Sequence, residues 1–521
     1  MEKTLKLCSL LPLFAASWSY AQTNNSPNIV LIMADDLGWG DVGFNGNTHI
    51  QTPCMDRLAS EGVVFEHFYA GAPLSSPTRA SVLTGRNAYR MGVFAPNVGI
   101  LRPEETTLPE ILKEKGYATG HFGKWHLGTL TCKEIDANRG RPENKHLLNP
   151  PAEHGYDDAF VTESKVPTFD PMRAPLSSDG RFWDYLPEYE ETKAYGTYYW
   201  DIEGNKVTEG LRGDDSRIII DRTLPFIDKA IGAQKPFLAT IWFHTPHLPC
   251  VAGPEYAARY QNLPLKERNY YGCITAMDDQ IERLVQYLKI KGVYENTIIF
   301  FCSDNGPELN TPGTAGNFKG KKRSLYEGGI RVPAFMIDGR KQKTGKITQP
   351  CSTSDYLPSI LELANISTSV PYQLDGESFV PFLNNSDIQR QKPLVFCSGT
   401  QGAVVDGGYK LYYNQGTTEL YDLKSDPFER TDVSRTYPEI RKKLSDYLWK
   451  QMKSFQQSFE GNEYGTRSVE RMNQQWEDIS KKNRTGQRIF SIKERKNNRY
   501  IRCLLAVRHP SLYNGTTVPL Q

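Results

Sequence analysis

Two apolar runs in this sequence, at residues 28–34 and 297–303, end directly in side chains that carry oxygen donors. The four side chains are Asp35, Asp36, Asp304 and Asn305. Sites in open α/β sheets form beyond the carboxyl ends of the strands, so two such runs in one sheet would bring these groups together. Hard oxygen donors suit Ca²⁺ or Mg²⁺. Either pair alone is also compatible with a turn or a cap, but the two pairs together predict one divalent-cation site.

The segment SSPTRASVLTG at 75–85 offers a candidate nucleophile. Local rules predict a loop that leads into a helix, so Ser75 would lie at a helix N-terminus, where backbone N–H groups and the helix dipole favour anions. On local chemistry alone a plainer interpretation is favoured, in which Ser75 or Ser76 only caps the helix.

A cation and an imidazole occur together in the segment GYATGHFGKWHLG at 116–128. Lys124 and His126 are two residues apart on a predicted extended segment, where alternation would place both side chains on the same face. A cation that holds an oxyanion and an imidazole that moves a proton form a coherent catalytic pair.

Two later segments add further candidates. The segment FHTPHLP at 243–249 follows a predicted strand and contains His244 and His247, although a lone histidine at such a position often serves the structure. The segment KGKKRSLYEGG at 319–329 places a basic cluster in a glycine-rich loop. These cations indicate a locally positive site, which an anionic substrate would need.

The elements that would position these residues alternate between strands and helices. Apolar runs of strand length recur at 28–34, 236–243, 297–303 and 332–337, and such continuous runs are typical of strands buried on both faces of a mainly parallel sheet. Between them, a 3-4-3-4 spacing of apolar residues at 274–288 predicts an amphipathic helix. We therefore predict an α/β fold, with a large, mainly parallel mixed sheet sandwiched by helices.

The pattern changes twice along the chain. Residues 129–215 are rich in proline, glycine and aromatic residues, which predicts a long insertion whose aromatic side chains either bind sugar rings or hold the loop down. Short strands and a helix beyond it predict a smaller C-terminal α+β domain with an antiparallel sheet at 386–460. We therefore divide the chain into a signal peptide (1–21), a larger domain with the site residues (22–385), the smaller domain, and a polar, basic extension (461–521).

Composition and the start of the chain limit the classes of function. The formal net charge of the 521 residues is +2, which gives no electrostatic case for binding nucleic acid or an anionic membrane. The first residues are typical of a secretory signal, since Lys3 and Lys6 precede an apolar stretch and small residues before Gln22. That stretch is too short for a stable anchor, and no later segment has the roughly 18 consecutive apolar residues of a membrane-spanning helix. We therefore predict export to the periplasm or the medium, without a membrane span.

Five blocks of the sequence resemble signatures of the type I sulfatases, a family of the alkaline-phosphatase superfamily. The run that begins at Ser75 resembles the first signature, and the segment at 116–128 resembles the second. Three further segments are similar to other conserved blocks of the family. They are DDLGWGD at 35–41, SDNG at 303–306 and LYEGGIRVP at 325–333. The blocks occur in the order that the family has. This resemblance implies an alkaline-phosphatase-like fold and the hydrolysis of sulfate esters.

The resemblance also implies a nucleophile that is made after translation. In this family the residue at the position of Ser75 is oxidised to formylglycine, whose hydrated aldehyde attacks sulfur and later expels sulfate. One Ca²⁺ would bind the nucleophile and a sulfate oxygen. The residues that would hold this ion are those at the two strand ends: Asp35, Asp36, Asp304 and Asn305.

The other matched positions take their roles from the same resemblance. Arg79 and Lys124 would position and polarise the formylglycine, and His126 would take the proton that releases sulfate. His247 and Lys322 would bind the sulfate ester and protonate or stabilise the leaving alcohol. Counting back from the Tyr-Glu-Gly-Gly run selects the lysine at 322, while two neighbouring lysines remain alternatives.

A serine at position 75 has consequences for origin and partners. Maturases that accept serine are bacterial, anaerobic, radical-based enzymes, so the resemblance implies a bacterial protein with such a sulfatase-maturating enzyme as its partner. Export and the aromatic insertion favour a sulfated glycan, from a glycosaminoglycan or a mucin, as the substrate. Candidate contacts for that glycan are His244, Asp170 and Arg173.

Two other functions are compatible with parts of the pattern. A phosphomonoester or phosphodiester hydrolase of the same superfamily would use an unmodified Ser or Thr and bind two transition metals through additional Asp and His ligands. Asn305 stands where such enzymes tend to have histidine, and no Asp-x-x-x-His pattern follows it. A non-catalytic relative that binds sulfated glycans would be expected to have lost parts of the site, whereas every matched position is filled here.

Overall fold

The computed structural model of the protein describes residues 26–187, 192–385 and 387–464. The predicted signal peptide and nearly all of the predicted C-terminal extension lie outside these residues. The strands are β1 (Asn28–Ala34), β2 (Val63–Phe65), β3 (Phe68–Tyr69), β4 (Ala118–Lys124), β5 (Asp158–Thr162), β6 (Arg173–Pro175), β7 (Thr192–Ala194), β8 (Tyr199–Asp201), β9 (Lys206–Val207), β10 (Phe237–Trp242), β11 (Thr297–Ser303), β12 (Ala334–Asp338), β13 (Gly345–Ile347), β14 (Cys351–Ser352), β15 (Leu394–Ser398), β16 (Gln401–Asp406), β17 (Tyr409–Asn414) and β18 (Thr417–Asp422). The α-helices are α1 (Pro53–Glu61), α2 (Ser75–Thr84), α3 (Leu108–Glu114), α4 (Asp215–Gly232), α5 (Pro254–Arg259), α6 (Leu265–Ile290), α7 (Glu327–Ile330), α8 (Tyr356–Leu363), α9 (Val380–Asn384) and α10 (Pro438–Phe459).

A ten-stranded mixed sheet forms the centre of the larger domain, with the strand order β13-β2-β12-β11-β1-β10-β4-β5-β8-β9. The strands β11, β1, β10, β4 and β5 are parallel to their neighbours in this series. On either side of them, β12 and β8 run antiparallel. The four predicted apolar runs form β1, β10, β11 and β12, so the prediction of a large, mainly parallel mixed sheet is confirmed. Because the central strands are parallel, their carboxyl ends all lie at one edge.

Helices cover both faces of this sheet because its central strands are apolar on both sides. Successive residues of β1 enter different cores, with Ile29 and Leu31 in one and Val30 and Ile32 in the other. The helices α2, α3 and α8 pack on the first face, and α1, α4 and α6 pack on the second. The helix predicted at 274–288 is the second half of α6. None of the helices in the described ranges combines the length and the apolar character that crossing a bilayer requires.

A second, smaller sheet lies towards the end of the described chain. The strands β15 to β18 pair in sequence order as a four-stranded antiparallel sheet. Leu448 and Phe455 of α10 share a core with Val404 and Leu411 of this sheet. The predicted α+β architecture of this part is therefore confirmed, while the domain boundaries at 385 and 460 stay predictions.

The segment at 129–215 is more regular than the sequence predicted. β5 continues the parallel part of the main sheet, and β8 and β9 extend it further. Tyr199 and Trp200 of β8 are only 0% and 3% exposed, so these two aromatic residues stabilise the core and offer no face to a sugar. With lengths of 5 and 3 residues, β5 and β8 are too short to produce a clear pattern between proline- and glycine-rich connections.

Candidate active site

The carboxyl ends of parallel strands bring the predicted site residues together. Asp35 follows β1, Asp304 follows β11, and Lys124 is the last residue of β4. The N–H of Asp35 donates to the carbonyl of Thr245, beyond β10, at 2.9 Å, and the N–H of Asp304 donates to the carbonyl of Ala34 at 3.0 Å. The site therefore rests on the buried centre of the sheet, which holds its side chains rigidly.

The four predicted metal ligands lie against one another. The amide nitrogen of Asn305 donates to Asp36 Oδ1 at 2.6 Å, and the N–H of Asp36 donates to Asp304 Oδ1 at 3.0 Å. Asp36 has a φ of 67°, a left-handed conformation that is strained for a residue other than glycine and that is concentrated at functional sites. These three residues and Asp35 are almost completely buried.

Three buried carboxylates in one place repel each other. Burial and the charge of Asp35 raise the pKa of Asp304 to about 7, and burial also raises the pKa of Asp36. Burial would raise the pKa of Asp35 as well, but the charge of Lys124 and other nearby cations outweigh it and hold that pKa well below its usual range. A divalent cation among these oxygens would offset the repulsion. Carboxylate and amide oxygens are a donor set that suits Ca²⁺, so the residues fit the implied ion.

Ser75 begins α2 and faces this cluster. Its Oγ lies 3.2 Å from Asp35 Oδ1 and 3.4 Å from Asn305 Oδ1. The ammonium of Lys124 lies 3.5 Å from the same Oγ. The hydroxyl of Ser75 is therefore in contact with two predicted metal ligands and with a buried lysine, although only 1% of the residue is exposed.

The interpretation of Ser75 or Ser76 as a helix cap is wrong. Leu74 occupies the N-cap position of α2, and no side chain makes the capping hydrogen bond there. The hydroxyl of Ser76 instead donates to the backbone carbonyl of His126 at 2.7 Å. The hydroxyl groups of Ser75 and Ser76 therefore contact residues of the site and do not cap the backbone of α2.

Two buried cations tie α2 to the strand ends. Arg79, one turn after Ser75, donates to Asp304 Oδ2 at 2.9 Å and to the carbonyl of Lys124 at 3.2 Å. The ammonium of Lys124 donates to Asp35 Oδ2 at 2.6 Å. Both cations are completely buried, and buried charges of this kind are tolerated when they are paired and hydrogen-bonded.

The structure corrects the predicted geometry of His126. β4 ends at Lys124 and His126 has a φ of 59°, so the alternation on which the prediction rested stops before the histidine. Within the described ranges, neither ring nitrogen of His126 has a hydrogen-bond partner, although the residue is only 5% exposed. Burial and the charges of Lys124 and Arg139 hold the pKa of His126 well below its usual value. The surroundings of His126 therefore disfavour the protonated form of its imidazole.

His247 and Lys322 approach the cluster from two other loops. The ammonium of Lys322 lies 2.7 Å from Asp36 Oδ2, and His247 Nε2 lies 3.6 Å from the same oxygen. The Nδ1 of His247 donates to the carbonyl of Leu248 at 2.6 Å, so Nε2 is the nitrogen that faces the cluster. His247 also belongs, with Asp35 and Asp36, to a group whose potential ligand atoms lie within 4.8 Å of one another. A histidine and a lysine therefore border the oxygen cluster.

Of the three neighbouring lysines, only Lys322 contacts the cluster within the described ranges. Lys321 donates to a loop carbonyl and Lys319 donates to a tyrosine of β18. Glu308, which the sequence analysis missed, lies 3.6 Å from the ammonium of Lys322 and pairs with an arginine of the same loop. Its signal was present in the sequence, since it is an acid four residues after Asp304 in the same strand-end run.

His244 is bonded within the protein, and its contact with the substrate stays a prediction. The residue is completely buried, its Nδ1 lies 2.8 Å from Asp215 Oδ2, and its Nε2 lies 2.7 Å from Thr162 Oγ1. Both ring nitrogens of His244 therefore bond to buried side chains of the protein. It ties the end of β10 to α4 and β5.

Asp170 and Arg173 line a small cavity together with Trp183 and Tyr185 of the insertion. Asp170 accepts a hydrogen bond from the N–H of Gly213 at 2.7 Å. Arg173 donates to a threonine hydroxyl of β7 at 2.7 Å. Both residues therefore fasten loops of the insertion, and their contact with a substrate stays a prediction.

Comparison with known proteins agrees with this geometry. A model of the sulfatase family matches residues 27–366, and a model of the C-terminal part of N-sulphoglucosamine sulphohydrolase matches residues 313–457. The N-acetylgalactosamine-6-sulfatase of Canis lupus familiaris is 31% identical over 422 residues, which are 78% of this chain and 75% of that protein. Arylsulfatase G of Rattus norvegicus is 32% identical over 480 residues, which are 80% and 84% of the two chains.

Solved structures resemble the chain over a similar extent. Ps i-CgsB in complex with k-i-k-neocarrahexaose superposes with a TM-score of 0.69 at 28% identity, and the match covers 82% of this chain and 92% of that one. A structure from a study of glycosaminoglycan metabolism by Bacteroides thetaiotaomicron has a TM-score of 0.66 at 26% identity, with 82% and 99% of the chains covered. With the predicted site residues gathered at one edge of the sheet, and with a family match over most of its length, the chain belongs to the sulfatase family and is a sulfuric ester hydrolase.

Proposed function

We propose that this sulfatase is exported and hydrolyses sulfate esters of carbohydrates, of the glycosaminoglycan or mucin type. The name of the N-acetylgalactosamine-6-sulfatases and the glycosaminoglycan context of the Bacteroides structure support a carbohydrate substrate. The charged start, the apolar stretch and the small residues at 1–21 support export to the periplasm or the medium.

The observation that carries the proposal is the position of Ser75. Its Oγ lies within 3.5 Å of a carboxylate, an amide oxygen and an ammonium that belong to three different strand ends. Converted to formylglycine, residue 75 would supply a hydrated aldehyde as an oxygen nucleophile in direct contact with the cation site. One Ca²⁺ would add positive charge where the nucleophile and the sulfate meet. The residues that would hold the ion are Asp35, Asp36, Asp304 and Asn305.

The side chains of the protein bind the ester and move its protons. Arg79 and Lys124, whose ammonium lies 3.5 Å from Ser75 Oγ, position and polarise residue 75, and His247 and Lys322 bind the sulfate ester. His126, whose ring nitrogens bond to none of the described residues, accepts the proton that must leave before sulfate is released. His247, whose Nε2 faces the cluster, acts with Lys322 on the leaving alcohol, which it stabilises or protonates.

The same proposal requires a partner. Conversion of serine to an aldehyde is an oxidation that this chain does not perform on itself, so an anaerobic, radical-type sulfatase-maturating enzyme would act on it before the chain can work. This requirement suits a bacterial protein, and it predicts that the chain is inactive when it is made without that enzyme.

The experiment that tests the proposed function offers the matured protein a panel of defined sugars sulfated at the 2-, 3-, 4- or 6-hydroxyl. Each sugar is paired with the corresponding phosphate ester, and free sulfate and phosphate are measured by ion chromatography. We expect sulfate release from at least one sugar and far slower phosphate release, with no activity in Ser75→Ala. Faster hydrolysis of the phosphate esters, or no sulfate release from any sugar, would contradict the proposal.

A further inference from the structure

Lys165 is a cation near the active site that none of the proposed steps uses. It lies three residues after β5, whose last residue, Thr162, pairs with Lys124 at the end of β4. The chain that follows is tied to the loop of His247, because the N–H of Thr168 donates to a carbonyl of that loop at 3.2 Å. Lys165 therefore lies at the same edge of the sheet as the site, between two segments that carry site residues.

The ammonium of Lys165 differs from the other cations of the site because no carboxylate of the described residues lies within ion-pair distance of it. No hydrogen bond or ion pair of Lys165 is found among the residues that the structure describes, although the side chain is partly buried. Burial and the charges of Lys322 and Lys124 lower the pKa of Lys165, and they outweigh the carboxylates of Asp36 and Glu308, which already pair with Lys322. The other cations are paired, as Arg79 with Asp304, Lys124 with Asp35, and Lys322 with Asp36.

An ammonium that is partly withdrawn from water, and whose nearby carboxylates already pair with other cations, is stabilised when a ligand brings negative charge of its own. The hydrogen bond from the N–H of Thr168 to the carbonyl of Pro249 places the segment of Lys165 beside the loop that carries His247. His247 and Lys322 are the residues that the proposed function assigns to the leaving alcohol. Lys165 therefore lies on the side of the site where the sugar leaves.

We propose that Lys165 binds a second anionic group of the substrate, a carboxylate or a further sulfate, on the sugar that carries the scissile ester or on its neighbour. This inference rests on the proposed function. It makes Lys165 a specificity-determining residue that selects polyanionic saccharides over sugars with a single sulfate, while the scissile sulfate itself is bound by His247 and Lys322.

The test compares substrates that share one scissile ester and differ only in a second anion. The set is the monosulfated sugar that the panel identifies, the same sugar with a second sulfate, and the same sugar linked to a uronic acid. Lys165→Met removes the charge and keeps the length of the side chain, and Lys165→Arg keeps the charge. Lys235→Met, an exposed lysine just before the amino end of β10, is the matched control.

We expect Lys165→Met to raise KM by about tenfold or more for a dianionic substrate, the size of one lost charge-assisted hydrogen bond, and to leave kcat unchanged. Activity on the monosulfated sugar should not change, and Lys165→Arg and Lys235→Met should resemble the wild type. If KM rises for the disulfated sugar, the anion that Lys165 binds is a sulfate, and if it rises for the sugar linked to a uronic acid, the anion is a carboxylate.

Three results would overturn the inference. An equal loss of activity of Lys165→Met on monoanionic and dianionic substrates would indicate that Lys165 binds the scissile sulfate. No loss of activity on any substrate would indicate that Lys165 does not contact the substrate. A wild type that does not favour a dianionic substrate would also contradict it. A wild type that is inactive on every sugar would instead contradict the proposed function. The two kinds of failure are distinguishable, because each of the three results above requires an active wild type.

Discussion

The carboxylates around Lys322 keep its ammonium group charged although the side chain is buried. Burial would lower the pKa of this lysine, but the carboxylates of Asp36 and Glu308 outweigh it and raise the pKa above its usual value. The lysine thus stays charged at a position that is only 5% exposed. A permanent cation held in place before the substrate arrives can stabilise charge that develops on the leaving oxygen without reorganising at that moment.

We expect Lys322→Met to lower kcat/KM for the panel substrate at least about 100-fold, the usual effect of removing one preorganised donor from charge that develops in the transition state. Lys321→Met is the matched control, since Lys321 donates to a loop carbonyl outside the cluster and should stay near the wild-type value. Initial rates of sulfate release measure both. A Lys322→Met protein with nearly full activity would remove Lys322 from the leaving-group step.

At the residue scale, the strand-end carboxylates were predictable and the histidines were less so. Asp35 and Asp304 follow apolar runs, and parallel strands bring such residues to one edge whatever the loops do. The position of His126 depends on a left-handed backbone that no spacing rule reveals. The role of His244 depends on Asp215, which belongs to a helix distant in sequence.

At the scale of elements, the chain of hydrogen bonds from Asp215 through His244 to Thr162 joins α4, the loop after β10 and the end of β5. Asp215 also accepts a hydrogen bond from the hydroxyl of Tyr199 in β8 at 2.6 Å. All of these groups are buried. The loop that presents His247 is therefore supported from behind by a polar network rather than by apolar packing alone.

We expect His244→Phe to lower the free energy of unfolding by about 3 kcal/mol, because it leaves a buried carboxylate and a buried hydroxyl each without one partner. Urea unfolding followed by circular dichroism measures the change. His49→Phe, at an exposed position, is the control and should stay within about 0.5 kcal/mol of the wild type. Equal stabilities of the two variants would contradict a supporting role for His244.

Elements were predictable where their patterns were long. The buried runs of β1, β10 and β11 lie in the middle of the sheet and are apolar on both faces, which makes them visible in the sequence. β5 and β8 are short and lie among irregular connections, so the region at 129–215 looked like a plain insertion. The sequence did not identify Lys165 as a site residue for the same reason. A residue can be placed beyond the carboxyl end of a strand only when that strand, here β5, has been predicted.

At the scale of the whole molecule, the small sheet and the large domain share charges as well as apolar cores. Lys410 of β17 is completely buried and lies 2.9 Å from carboxylates of both Glu327 and Glu429. Glu327 begins α7, which follows the loop of Lys322. The smaller domain therefore buttresses the loop that carries one of the site lysines, and both domains contribute to the integrity of the site.

The proposed Ca²⁺ site predicts that chelation lowers both stability and activity. An ion that binds the folded chain alone stabilises it by about 2.7 kcal/mol at 100 times its Kd, so the melting temperature should rise with Ca²⁺ and fall with EDTA. Activity should disappear with EDTA and return with Ca²⁺. Asp304→Asn keeps the shape of the side chain, removes one ligand charge and should weaken the response. A melting temperature and an activity that ignore both reagents would contradict the metal site.

The mass of the peptide that contains Ser75 is the most direct test of the proposed mechanism. The chain is produced with and without a maturase that accepts serine, and each preparation is assayed for sulfate release and analysed by mass spectrometry. We predict that active protein carries residue 75 lighter than serine by about 2 Da, the loss of two hydrogens, and that protein made without the maturase is unmodified and inactive. Full activity in a protein whose Ser75 is unmodified would contradict the central claim.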